Sequence, residues 1–349
     1  MTRPVVYTGC MEGDGELALT VKRFALEAGF ARAGIASAGA VAGRETFNEW
    51  LSAGRHGKMD YLARNVEKRF DPRRLVEGAR SVICVALSYA PGPDAPERAV
   101  ARFARGRDYH RVLKQRLHRL MDRLREVEPG FAGRAFTDSA PLAERSLAVS
   151  AGLGWIGRNG CLIVPGLGSY VVLGEIVCNL PLSADRPLDG GCGECGRCIQ
   201  ACPTGALRGD GTMDARLCVG YLTVEHRGSI DPALCAKMGG RLFGCDACQR
   251  VCPHNADIPP GDPELIKERP IAKVSSADLL GWTEADWDTM TRGSTTRRAD
   301  YPMWLRNAAV ACANAADPTT LPALRRLAEV QGPAGEAARW ALAKLSDAG

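Results

Sequence analysis

Apolar positions recur at helical spacing between residues 15 and 30, where Leu17, Leu19, Val21, Phe24, Ala25 and Ala28 form a stripe that stops at Gly29. The period then changes. Ser81–Ser88 (SVICVALS) is an unbroken apolar run rich in branched residues, which predicts a buried strand. Residues 109–127 carry a clear amphipathic pattern, with Leu113, Leu117, Leu120, Met121 and Leu124 on one face. A further helix is predicted over residues 141–151. A glycine-rich loop follows, then two short strands, CLIV and YVVLGEIV, joined by Pro165-Gly-Leu-Gly. This alternation predicts an α/β domain over residues 1–182.

Beyond it the pattern breaks down. Residues 183–262 are cysteine-rich with short loops, a module organised by metal more than by a core, and Pro259-Pro-Gly-Asp-Pro reads as a linker. In the last segment, 263–349, residues 301–348 read as three short helices separated by Asp317-Pro and Gly332-Pro. Leu305, Ala308, Leu321, Leu324, Leu327, Ala338, Leu342 and Leu345 would pack between them, as in HEAT repeats. The expected fold class is α+β multidomain: an α/β domain, a ferredoxin-like domain and a HEAT-like helical tail.

A chain of 349 residues, 46% hydrophobic and 24% charged, has the composition of a soluble globular protein and can bury a core without covalent staples. Its 14 cysteines therefore need another explanation. Met1-Thr-Arg-Pro leads into a short apolar run broken at Thr8-Gly9, unlike a secretory signal. The weakly charged stretch 161–174 contains Pro165 and glycines, which is wrong for a membrane helix. The expectation is a cytoplasmic protein with no membrane contact, whose clustered thiols serve metal or catalysis. Net charge is +5 for the bare chain and about +1 with eight thiolates and two dicationic clusters. Arg102, Arg105, Arg107, Arg111, Lys114, Arg116, Arg119, Arg123 and Arg125 crowd one stretch. They read as a solvated helix face, with a nucleic-acid patch as the alternative.

Cys192, Cys195, Cys198 and Cys202-Pro203 give C-x2-C-x2-C-x3-C-P, the spacing that wraps three thiolates round one cubane and sends the fourth to another. Cys245, Cys248 and Cys252-Pro253 repeat it, but position 242 is Leu. Cys218, 27 residues upstream of Cys245, is the natural substitute. Crossing the ligands as in two-cluster ferredoxins assigns Cys192, Cys195, Cys198 and Cys252 to one 4Fe–4S cluster. Cys202, Cys218, Cys245 and Cys248 then hold a second. A zinc site would use two separated cysteine pairs and needs neither a third close cysteine nor Cys-Pro. Of Cys10, Cys84, Cys161, Cys178, Cys235 and Cys312, the members in apolar strands (Cys84, Cys161, Cys178) read as buried small hydrophobes, and Cys235 is the rival to Cys218.

Gly152-Leu-Gly154-Trp-Ile-Gly157 matches a dinucleotide fingerprint in letters only. That fingerprint needs a strand before the loop and a helix after it, and here the order is reversed. Asp108-Tyr-His110-Arg-Val-Leu113 begins like a cobalt-ligating Asp-x-His-x-x-Gly motif but ends in Leu, so His110 reads as a packing or substrate-side residue.

With these pieces in place the sequence resembles the epoxyqueuosine reductase family, corrinoid iron–sulfur enzymes of queuosine biosynthesis. The motifs run in order: Gly54-Arg-His-Gly-Lys-Met-Asp-Tyr61, Ala104-Arg-Gly-Arg-Asp-Tyr-His110, Thr137-Asp-Ser-Ala-Pro141 with Glu144-Arg145, Gly152 to Asn159, and Phe243-Gly-Cys-Asp-Ala-Cys-Gln249. Arg158 stands where the family loop usually has Lys, and His254 where Trp is common. The resemblance implies reduction of the epoxide at the wobble base of GUN-anticodon tRNA, with base-off cobalamin in the first domain. It implies an external flavodoxin or ferredoxin-like donor and a monomeric enzyme. It places the general acid on Asp138, and cobalamin contacts on Tyr61, Asp138, Gly157, Arg158, Asn159, Asp246 and Ala247. Tyr109 and Arg145 become substrate contacts. Asp138 by its local sequence also reads as a helix N-cap. As a proton donor it would need a pKa raised by a partly apolar pocket, and Arg145 would lie two turns along the same helix face. Rival readings are a reductive dehalogenase, which would usually carry a twin-arginine signal, a pure electron carrier, and a tRNA-binding scaffold with structural clusters.

Overall fold

A computed structural model describes residues 14–346 apart from residue 93. Cys10 and the N-terminal segment read above for a signal lie outside the described residues. Among the described residues six strands occur: β1 (Arg32–Ser37), β2 (Ser81–Ser88), β3 (Gly133–Phe136), β4 (Trp155–Ile156), β5 (Leu162–Ile163) and β6 (Val171–Cys178). Four of them form one sheet in the order β1-β2-β6-β3, and every neighbouring pair is antiparallel. The α/β domain expected from the alternation is thus built on an antiparallel sheet, a direction that the alternation left open. An unbroken apolar strand reports burial on both faces, not strand direction.

Both faces are indeed covered. Ile35, Ile83, Val85, Leu87 and Ile176 pack under the helices Asp14–Glu27 and Tyr109–Val127 through Val21, Phe24, Leu113, Leu117 and Leu120. On the other face, Val82, Cys84, Ala86, Phe136 and Val177 meet Leu147 and Ala148 of the helix Glu144–Ser150 and Ala151 just after it. That helix begins later than residue 141, because the preceding residues make a tight turn in which the Ser139 amide donates to the Thr137 carbonyl. The glycine loop serves packing. A side chain at Gly154 would meet the Ile163 carbonyl oxygen at 2.0 Å, so β4 can lie close to β5 only without one.

The three expected segments share their cores. Pro259 to Pro263 is no free linker: Gly261 and Asp262 amides donate to Ala90 and Ser88 carbonyls, and buried Arg116 pairs with Asp262 (2.7 Å) and Glu264 (3.0 Å). Arg116 and Arg105 are buried, and Arg107, Arg123 and Arg125 pair with acids, so the basic stretch is mostly neutralised in place. Three C-terminal helices form as expected, Tyr301–Asn314, Leu321–Ala328 and Pro333–Ser346. Their Ala309, Val310, Ala313, Leu324 and Ala338 close one core with Val219, Leu222 and Met238 of the cysteine module. Phe243 stacks on Trp304 at 5.7 Å beside Val100 and Ala104. No helix among the described residues is long and apolar enough to cross a membrane.

Arg306 joins tail to module. It is 1% exposed and donates to the carbonyls of Leu222, His226 and Gly228 and to Asn307 Oδ1. Burial pushes its pKa down to about 10, a cost met by these four acceptors. Arg306→Leu should destabilise the protein by roughly 2–4 kcal/mol, since buried carbonyls would lose charge-assisted partners. Denaturant unfolding checks this, and an unchanged midpoint would refute it.

Candidate active site and cysteine module

Asp138 follows directly on β3, at the edge of the sheet. Its backbone is left-handed (φ +55°), uncommon for a residue with a side chain. It is no helix cap: the N-cap of the helix Glu144–Ser150 is Ala143, without a side-chain bond. The turn turns the carboxyl toward the start of the long helix Tyr109–Val127. There the Tyr109 hydroxyl donates to Asp138 Oδ2 at 2.7 Å, and His110 Nε2 lies 3.1 Å from the same oxygen. His110 Nδ1 sits 2.8 Å from Asp108 Oδ1, and Asp108 also caps this helix by accepting the His110 amide. The Asp138 amide donates to Glu144 Oε1. Its side chain stays 59% exposed, so one face remains open to a substrate.

The electrostatics correct the expectation of a raised Asp138 pKa. The His110 hydrogen bond holds the Asp138 carboxyl below the usual range, outweighing burial, with Tyr109 and the His110 charge adding to it. For His110 burial opposes the charge, but the hydrogen bonds it donates to Asp108 and Asp138 overcome it and push the imidazole up to about 9. The proton of this cluster therefore rests on His110 at neutral pH. Tyr109, raised by burial and by Asp138, stays a donor. Tyr109 is bonded to the acid itself, and His110 is more than packing.

Tyr61 and Arg298 border the same space. Arg298 makes a two-pronged pair with Glu225 (2.8 and 2.7 Å) and lies 5.6 Å from the Tyr61 ring centroid, near enough to act on Asp138. Arg145 is corrected. It is not two turns along a helix from Asp138, because that helix starts only at Glu144, and its guanidinium donates to the Gly160 carbonyl. Gly157 and Arg158 border an open cleft of about 600 Å³ with Cys192, Gly209 and Gly211. Arg158 reaches the Gly209 and Cys195 carbonyls. Asn159 is buried; its Oδ1 accepts the Cys161 amide at 3.1 Å, while its Nδ2 has no partner. Asp246 accepts the Arg102 amide at 2.9 Å and is raised by burial, beside buried Ala247, where five arginines (Arg98, Arg102, Arg105, Arg241, Arg250) converge.

The module's cysteines act on one another across both expected sets, and among the described residues no three metal-ligating side chains already stand together as a metal site. Cys252 feels Cys192 and Cys195, and Cys198 feels Cys192 and also Cys248. Cys218 feels Cys245 and Cys248, and Cys248 feels Cys202. Cys235 is buried in the apolar core with its thiol on the Ile230 carbonyl (3.6 Å). Cys84 and Cys178 are buried as expected, but Cys161 is not simply a small hydrophobe: its thiol contacts that of Cys248.

The family model for epoxyqueuosine reductase QueG, DUF1730, matches residues 69–139, and the 4Fe-4S double cluster binding domain matches residues 191–255. The epoxyqueuosine reductase of Pseudomonas aeruginosa is 40% identical over 93% of this chain and 94% of its own. The chain belongs to the epoxyqueuosine reductase family. A crystal structure of an epoxyqueuosine reductase with a tRNA-Tyr epoxyqueuosine-modified stem loop superposes at TM-score 0.85 and 30% identity, covering 95% of this chain and 90% of that one. A Bacillus subtilis member, whose aspartate-bearing catalytic loop is swung out of the active site, matches at TM-score 0.86, 30% identity and the same coverage.

Sequence reasoning missed Arg298, which lies too far along the chain to associate with the motif. It also missed Glu175, although one carboxylate inside the apolar run VVLGEIVC was a signal.

His110, pushed from 6.5 to about 9 on folding, contributes stability that is full below pH 6.5 and lost as pH rises through about 9. The Tm gap between the native protein and His110→Asn should close across that window. A gap constant from pH 6 to 9 would show that His110 carries no extra proton.

Proposed function

We propose that this chain reduces epoxyqueuosine to queuosine at the wobble position of tRNA, using cobalamin and two 4Fe–4S clusters, with Asp138 as proton donor. The observation that carries the reading is the Asp138 carboxyl, open on one side and bonded on the other to Tyr109 and His110. Turning an epoxide into an alkene consumes two electrons and two protons and releases water. The proton on His110 Nε2 crosses the 3.1 Å contact to Asp138, whose carboxyl hands it to the departing oxygen, and reprotonation of His110 from solvent supplies the second, with Asp108 holding the imidazole. Tyr109 keeps the carboxyl aimed.

Cobalamin, base-off, supplies low-valent cobalt for carbon–oxygen cleavage, and the clusters supply electrons singly from a flavodoxin or ferredoxin-like donor. The residues fit a corrin whose rim is lined with amides: buried donors on Asn159, Arg102 and Trp155 have no protein partner. Tyr61, Gly157 and Arg158 of the domain of residues 1–182 would hold it together with Asp246 and Ala247 of residues 183–262. Cys192, Cys195, Cys198 and Cys252 would bind one cluster, and Cys202, Cys218, Cys245 and Cys248 the other, within residues 183–262. Cys218 acts on Cys245 and Cys248 while the Cys235 thiol is turned to the Ile230 carbonyl, which favours Cys218 as the eighth ligand. The helices of residues 263–349 form a HEAT-like support, and the enzyme works as a cytoplasmic monomer on GUN-anticodon tRNA.

Turnover of epoxyqueuosine-containing tRNA with cobalamin and a chemical reductant tests the reading, and its absence in reconstituted protein would reject it. Asp138→Asn should keep the cluster absorption but lower turnover at least about hundredfold, the usual worth of a general acid; full activity would overturn the role of Asp138. Cys218→Ala should drop iron from about eight to about four atoms per chain, while Cys235→Ala should leave iron content unchanged.

A further inference from the structure

Beneath Asp138 lies a second pair of acids that the proton path above does not use. Glu175, at the middle of β6, points to the sheet face covered by the helix Glu144–Ser150 and is 0% exposed. It stands opposite Cys84 of β2 and Phe136 of β3. Its two oxygens have no partner other than the Glu144 carboxyl facing them. Glu144 in turn accepts the amide hydrogen of Asp138. Among the described residues no salt bridge reaches either glutamate.

Two ionised carboxylates cannot face each other in such a site, and one shared proton is the inexpensive solution. The surrounding groups do not change this. Cys84 faces the pair from β2, Asp138 from the turn after β3, and His110 and Tyr109 from the long helix. Arg69 acts on Glu144 from a greater distance, and Asp185 acts on Cys84. Burial, then the Asp138 charge, pushes Glu144 up to about 7, and burial with the Glu144 charge pushes Glu175 well above the carboxylate range.

We infer that Glu144 and Glu175 are positioning residues for Asp138: sharing one proton, they form a clamp on the Asp138 amide that holds its turn in the left-handed, inward conformation. With the proton present, Glu144 can lie against Glu175 and still accept from Asp138. Without it, the two glutamates repel one another and Asp138, and the turn leaves. The φ of +55° at Asp138 gives the turn a reason to leave when the clamp fails. This inference rests on the function proposed above only for its activity readout.

Three variants and three readouts test it. Hydrogen exchange of the peptide spanning residues 137–143 needs no substrate. Exchange there should be slow at pH 6 and faster by at least about tenfold at pH 9 beyond the intrinsic base effect, and Glu144→Ala should be fast at both. Glu144→Gln keeps an acceptor and needs no shared proton, so it should restore slow exchange and remove the extra pH dependence. In Glu175→Gln the infrared carbonyl stretch of a protonated carboxyl, present in the native protein at pH 6, should disappear. In turnover, Glu144→Ala should lower kcat at least tenfold with KM for tRNA within about twofold, and Glu144→Gln should recover most of that loss. Native-like exchange in Glu144→Ala, or no protonated carboxyl lost in Glu175→Gln, overturns the clamp. Absent turnover in the native enzyme with the exchange and infrared results as expected would instead reject the proposed reaction and leave the clamp standing.

Discussion

A four-stranded sheet covered by helices on both faces leaves almost no place for charge except at its ends. β2 is buried along its whole length and β6 along most of it, so polar groups are driven to where the strands stop. The end of β3 is such a place. The long helix Tyr109–Val127 from one face and the short helix Glu144–Ser150 from the other both begin there, and Asp138 lies between their first residues. The acid site is thus a consequence of two-sided coverage: two helix starts and one strand end converge, each bringing polar side chains that the core cannot take.

The charges gathered there settle each other. Asp108, His110 and Asp138 form a chain in which the imidazole is the proton carrier and both carboxylates stay ionised. This differs from the usual picture of a buried acid with a raised pKa. The proton sits one hydrogen bond back from the open carboxyl, and a bound substrate that excludes water would draw it forward. Glu175 is the exception that the sheet does admit, and it is tolerated only through Glu144.

The cysteine module shows a different economy. Its helices are single turns, such as Arg197–Gln200 and Ala247–Arg250, too short to be stable alone. Thiolate ligation would order these loops, and the rest of the module borrows a core from the C-terminal helices and from Arg306. The chain is therefore one interlocked body more than three beads, and strain at Phe243 or Trp304 would be felt beside Cys245 and Val100 alike.

Local pattern alone determined the helix Tyr109–Val127, the strand Ser81–Ser88 and the cysteine motifs of the 4Fe-4S double cluster domain, because helical period, two-sided burial and cluster-ligand spacing each act over a few residues. The motifs also marked Asp138. What the sequence could not carry was direction and distance. An apolar strand reads the same whether its neighbours run parallel or antiparallel, so the antiparallel order was decided by the tertiary structure. A helix cap and a left-handed turn share the residues Asp-Ser-Ala-Pro, and only the packing of Glu144 under the Asp138 amide chose between them. Arg145 left its expected place for the same reason. The proton on His110, the facing of Glu144 and Glu175, and Arg298 beside Tyr61 all depend on groups dozens of residues apart meeting within a few ångströms. Electrostatic energy depends on that separation in space and on burial, and neither is written in the order of the residues.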